Sequence, residues 1–97
     1  MKAKELSIPP RAASDTKAVE LLRVWASLGE QHVSLATNLW KDPATWGIVL
    51  VDLSKHIASA YKLTTGQDRD DVLKRIREGF DAEWGSATDV TSGSISG

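Results

Sequence analysis

Apolar residues fall along this 97-residue chain in blocks whose spacing changes from one block to the next. Near the start, residues 4–8 alternate polar and apolar, with Leu6 and Ile8 on one face, which predicts a short strand. Pro9 and Pro10 end it, because neither can donate to a ladder. Ala18, Leu21, Leu22, Trp25 and Leu28 then recur at i, i+3, i+4, i+7 and i+10, one face of a helix. The spacing predicts a helix over 15–28, with Asp15 at its N-cap and Gly29 where a terminating glycine would stand. Residues 31–36 alternate again, Val33 and Leu35 against His32 and Ser34, the period of a half-buried strand.

Two longer helical patterns follow. Asp42-Pro43 is a helix start, a side-chain acceptor followed by a preset φ, and Trp40 stands close enough upstream to pack back on the first turn. The helix is predicted over 42–62. At about 100° per residue, Trp46, Leu50, Leu53, Ile57, Ala60 and Tyr61 gather on one side, and Val49, Val51 and Ala58 widen the arc. Asp52, Lys55, His56, Ser59 and Lys62 make up the polar stripe. Such a helix needs neighbours on several sides and is the expected centre of the core. Asp68 caps the last predicted helix, over 68–84, with Leu73, Ile76, Phe80 and Trp84 as its buried stripe and Asp70–Lys74 and Asp71–Arg75 as pairs on a solvated face.

These elements predict an α+β fold of order β-α-β-α-α, a single compact domain over 1–89 with three helices packed on a short two-stranded sheet. A three-helix bundle with extended arms is the alternative. Residues 90–97 are small and polar and are expected to form a disordered tail. Two strands leave two open edges and are barely stable alone, so association with a second copy is expected.

Composition narrows the function. With 41% hydrophobic residues and four Trp, the chain can close a core, though a small one. No cysteine is present, which excludes a disulfide framework, thiolate chemistry and Cys-ligated zinc. The net charge of −1, with both signs interspersed, lacks the basic stripe of a nucleic-acid binder. No apolar run approaches the roughly 20 residues of a membrane span, and no apolar stretch follows the charged start as in a secretory signal. A soluble, cytoplasmic protein that binds neither nucleic acid nor membrane is the expectation.

The candidate chemistry is sparse. Asp52 and His56, four apart on a helix, are neighbours, and Ser59 stands one turn on. A carboxylate beside an imidazole suits acid–base work, and a hydroxyl within reach would complete a nucleophilic set. Three polar residues on one helix face rarely supply that geometry, and a solvated or interhelical polar stripe is the plainer reading. His32, on the outward face of its strand, joins Asp52 and His56 into a metal site only if the fold brings them together. No HExxH motif or local ligand cluster supports one. Trp40, in a connector, is read as a lid on the core or as an anchor for a partner. Gly47, Gly66 and Gly79 are isolated, so no phosphate-cradling loop is present.

The runs ELSIPP, LLRVWASLGEQHVSL, WKDPATWGIVLVDLSKHIASAY and VLKRIREGFDAEW together resemble the successive blocks of a domain-of-unknown-function family of short bacterial proteins. The resemblance extends from Glu5 to about Asp89 and implies a recurrent domain, with no catalytic residue, cofactor or metal to carry over. The residues therefore favour a small non-enzymatic interaction or regulatory module whose partner is itself or another protein. The alternative is a small ligand-binding protein or enzyme using the Asp52/His56 stripe, and the binding candidates are His32, Trp40, Asp52, His56 and Ser59.

Overall fold

In the computed structural model, residues 3–86 and 94–95 are described. The expected polar tail over 90–97 lies outside the described residues except for Ser94 and Ile95. The elements are α1 (Pro10–Ala13), β1 (Leu22–Ser27), β2 (Glu30–Leu35), α2 (Ala44–Thr65), α3 (Arg69–Trp84) and β3 (Ser94–Ile95). The class is α+β, with three helices and an antiparallel two-stranded hairpin to which the two residues of β3 add. The chain forms two compact units, one from residues 1–37 with 93–97 and the other from residues 38–92.

In the first unit, two predicted elements are corrected. Residues 15–28 do not form a helix. Asp15 makes a turn instead, its carboxylate accepting the Lys17 N–H at 2.9 Å, and the chain then enters β1. The helical spacing of Leu21, Leu22, Trp25 and Leu28 coincides with an alternation, Leu22, Val24 and Ala26 on one face and Arg23, Trp25 and Ser27 on the other. The decisive residue is Gly29. Leu28 and Gly29 have φ of 53° and 74° and join Ser27 to its partner Glu30, the two-residue loop that a primed hairpin turn requires. A glycine with positive φ serves a helix end or a hairpin equally, and here β2 is adjacent to complete the ladder. The expected strand over 4–8 is also absent: residues 3–9 carry no turn or bend and join no ladder.

β1 and β2 pair from Leu22↔Leu35 to Ser27↔Glu30, which puts Leu22, Val24, Val33 and Leu35 on one face. β3 runs parallel to β2, His32 opposite Ser94 and Val33 opposite Ile95, so β1 is one edge of the sheet and β3 the other.

The second unit is a helical hairpin. Asp42 accepts the Ala44 N–H at 3.0 Å and starts α2, which continues past the expected end to Thr65 because Thr64 and Thr65 hydroxyls donate to the carbonyls of Ala60 and Tyr61. Gly66, at φ 77°, closes it with its N–H on the Lys62 carbonyl. Asp68 caps α3 as expected, accepting the Asp71 N–H at 3.1 Å. Along α3, Arg75 pairs with Glu78 at 2.9 Å and Arg77 with Asp81 at 3.0 Å, in place of the expected pair of Arg75 with Asp71.

The core is corrected most sharply. Among the described residues the buried apolar side chains are Ala58 on α2 and Val72 on α3. Ala58 belongs to the margin of the widened arc, about 100° round the helix from Ile57, so α3 packs on that margin and not on the centre of the stripe. Leu50, Leu53, Ile57 and Tyr61 are left 39 to 46% exposed. On α3, Leu73 and Ile76 are half-buried, while Phe80 and Trp84 stack on each other at 5.6 Å with Trp84 81% exposed.

Two stability changes follow. Leu28 is 97% exposed in a conformation that costs a non-glycine residue about 1–2 kcal/mol. Leu28→Asn, better suited to the turn, should raise the urea midpoint by the equivalent of about 1 kcal/mol at unchanged m-value. Asp68→Ala should cost about 1 kcal/mol in the same titration through loss of the α3 cap.

Candidate functional site

Three of the five candidate residues belong to α2. Asp52 and His56 stand on successive turns and are exposed. Among the described residues no hydrogen bond or ion pair joins them, so the carboxylate does not orient the imidazole. Ser59 is drawn elsewhere: half-buried, it accepts a hydrogen bond from Arg69 Nε at 3.1 Å. Arg69 is the first residue of α3, and its guanidinium reaches back across the α2–α3 turn. Ser59 thus links the two helices while Asp52 and His56 face water.

Trp40 also lies in the helical unit, half-buried, with its ring edge-on to Trp46 at 5.2 Å and an interplanar angle of 77°. This is the favoured T-shaped arrangement, in which one ring's positive edge meets the other's negative face. It fastens the connector to the first turns of α2, as the upstream tryptophan predicted.

His32 belongs to the other unit, on β2 opposite Trp25. Its Nε2 is 3.7 Å from Glu30 Oε2, a distance that makes an ion pair only when the imidazole is protonated. Among the described residues, no three His, Asp or Glu side chains converge as a metal-holding group.

The strongest polar cluster is one that sequence reasoning passed over. Arg23 on β1 donates from Nε to Glu20 Oε1 at 2.6 Å and from Nη1 to Glu5 Oε2. These carboxylates, Glu20 foremost, raise the pKa of a guanidinium that is already permanently charged. On a helix over 15–28, Glu20 and Arg23 would be a surface pair one turn apart, and Glu5 is 18 residues from Arg23. The only signal in the sequence is two acidic residues and one basic residue, Glu5, Glu20 and Arg23, among apolar positions. A cavity of about 680 Å³ lies beside this cluster, lined by residues 4–9 and 22–25 among others. A second, about 340 Å³, is bounded by Phe80, Glu83, Trp84 and Ser86. Neither is lined by Asp52, His56 or Ser59.

Residues 5–88 match the model of a family described as a domain of unknown function, DUF5076, and the chain belongs to that family. It is also similar to a solved structure from the photosynthetic bacterium Rhodopseudomonas palustrus CGA009, provisionally named a pyruvate dehydrogenase. The identity is 29% and the TM-score 0.71, over 99% of this chain and 98% of that one. None of the curated proteins compared with the chain matches it. No helix of the described residues is long and apolar enough to cross a membrane.

The candidate residues should separate under mutation. Ser59→Ala removes the acceptor of Arg69 and should cost about 1 kcal/mol in chemical denaturation. His56→Ala, at an exposed position, should stay within about 0.5 kcal/mol of the parent in the same titration.

Proposed function

We propose that this DUF5076 chain is a non-enzymatic interaction module that self-associates through the apolar stripe of α2. One observation carries the reading. Leu50, Leu53, Ile57 and Tyr61, spaced by three, four and four residues, form a continuous seam that α3 leaves uncovered, each side chain 39 to 46% exposed. That spacing is the seam of paired helices. The residues beside it, Ser54 and Ala60, are small enough to let a second helix approach, and the charged residues of α2 lie on the opposite side. A second copy offers an identical seam, and two such helices related by a twofold axis satisfy each other in a closed dimer.

The enzymatic alternative has less to act through. Asp52 and His56 are unlinked and exposed, and Ser59 is committed to Arg69. The dehydrogenase name of the Rhodopseudomonas relative brings with it no residue of this chain. A cytoplasmic regulatory role for the module agrees with the composition and is part of the same proposal.

Light scattering across a concentration series tests the reading. The parent chain should be dimeric at micromolar concentration. Combined Leu53→Asp and Ile57→Asp, which place two carboxylates in the seam, should weaken association about 100-fold while His56→Ala leaves it unchanged. A double variant as dimeric as the parent, with helical circular dichroism retained, would remove the seam from the interface.

A further inference from the structure

The cavity beside Arg23 has an unusual lining. One wall is six consecutive residues, 4–9, and the other includes four consecutive residues of β1, 22–25. A cavity over a strand's face is lined by alternate residues, because successive side chains point to opposite sides. Four in a row mean that the cavity runs along the strand's edge, and β1 is an edge strand of the sheet.

That edge has free hydrogen-bonding groups at known positions. The Ala36 N–H donates to the Leu21 carbonyl at 2.9 Å, which sets the alternation of the ladder. The backbone groups of residues 21, 23, 25 and 27 therefore face β2, and the N–H and C=O of Leu22, Val24 and Ala26 point away from it, those of Leu22 and Val24 along the cavity. Among the described residues none of these groups bonds to the arm formed by residues 3–9. The arm is equally unsatisfied: without turn, bend or ladder partner, it leaves Leu6 93% and Ile8 63% exposed. It enters α1 through Pro9 at φ −56° and ψ 139°, and Glu5 ties it to Arg23.

We infer that the cavity is a slot for one β-strand, and that its occupant is the arm of a second copy. This deepens the reading of the chain as a self-associating module and rests on it. The arm and residues from the stretch 12–20 line the cavity beside β1, which suits a lone extended segment better than the edge of another sheet. The arm is such a segment, and its alternation of Leu6 and Ile8 with polar neighbours suits strand addition. Glu5 already shows that this segment carries the charge Arg23 binds. Symmetry completes the argument. Two copies related by a twofold axis interleave in the order β1, partner's arm, own arm, partner's β1. Each arm then fills one slot and walls the other, and the open backbone groups of β1 and of both arms gain ladder partners.

The experiment uses the full chain, whose lack of cysteine makes cross-linking specific. In the interleaved order the two arms are adjacent, so Ser7→Cys should give a covalent dimer on mild oxidation, whereas Lys17→Cys, off the arm, should not. Ser7→Pro removes an arm N–H at a residue with no role in its own fold, and should weaken dimerisation about tenfold in sedimentation. Oxidised Ser7→Cys that stays uncross-linked, with Ser7→Pro as dimeric as the parent, overturns the slot and leaves the α2 seam standing. A parent chain that is monomeric at every concentration overturns both. Loss of association in Ser7→Pro alone, with the Leu53→Asp and Ile57→Asp double variant unaffected, supports the slot and removes the seam.

Discussion

The burial of Ala58 on α2 and Val72 on α3 decides how the helical half of this protein presents itself. Ala58 is the fully buried side chain of α2, and its single methyl is small enough to stand where two helices meet. Arg69 reinforces the same side by donating to Ser59. Because Ala58 lies at the margin of the apolar stripe, the helix is closed on a flank and open along its most hydrophobic surface. A hairpin packed on the stripe itself would have hidden Leu53 and Ile57 and left nothing for a partner. The surface therefore follows from where Ala58 and Ser59 fall around one helix.

In the other unit an analogous choice is made by the Leu28–Gly29 turn. A two-residue loop with both φ positive sets the register of β1 on β2 and, through it, the face on which each side chain stands. The register places Trp25 opposite His32 and turns the backbone of Leu22, Val24 and Ala26 outward. Arg23, fixed by Glu20 and Glu5, holds the N-terminal arm near that edge without closing on it. Both units thus expose apolar rows, Leu6 with Ile8 in one and the α2 stripe in the other, beside single exposed residues such as Leu28, Ile48, Val51 and Leu63.

Much of the helical unit was legible in advance. Asp42, Trp40, Asp68 and the residues near Gly66 act locally, through caps, a ring contact within one turn and a left-handed glycine, so their roles follow from neighbours in the chain. The hairpin was half legible. Residues 30–35 showed their alternation, but 22–27 satisfied two periods at once, and six residues cannot distinguish them. Pairing with β2 outweighs intrinsic helix preference there, a tertiary effect invisible to a local pattern. The candidate site fared similarly. Asp52 and His56 were placed correctly on one helix, while the partner of Ser59 stood ten residues away, on the next helix.

By itself the sequence determined which segments are helical in the second half, to within about three residues at their ends, and that the chain carries more apolar surface than its own elements can cover. Those properties depend on spacing, capping and composition, each of which acts over a few residues. Only the tertiary structure decided which surface is left uncovered and what the polar residues do. The side on which α3 meets α2, and the strand edge that the arm leaves open, are set by contacts between residues distant in the chain.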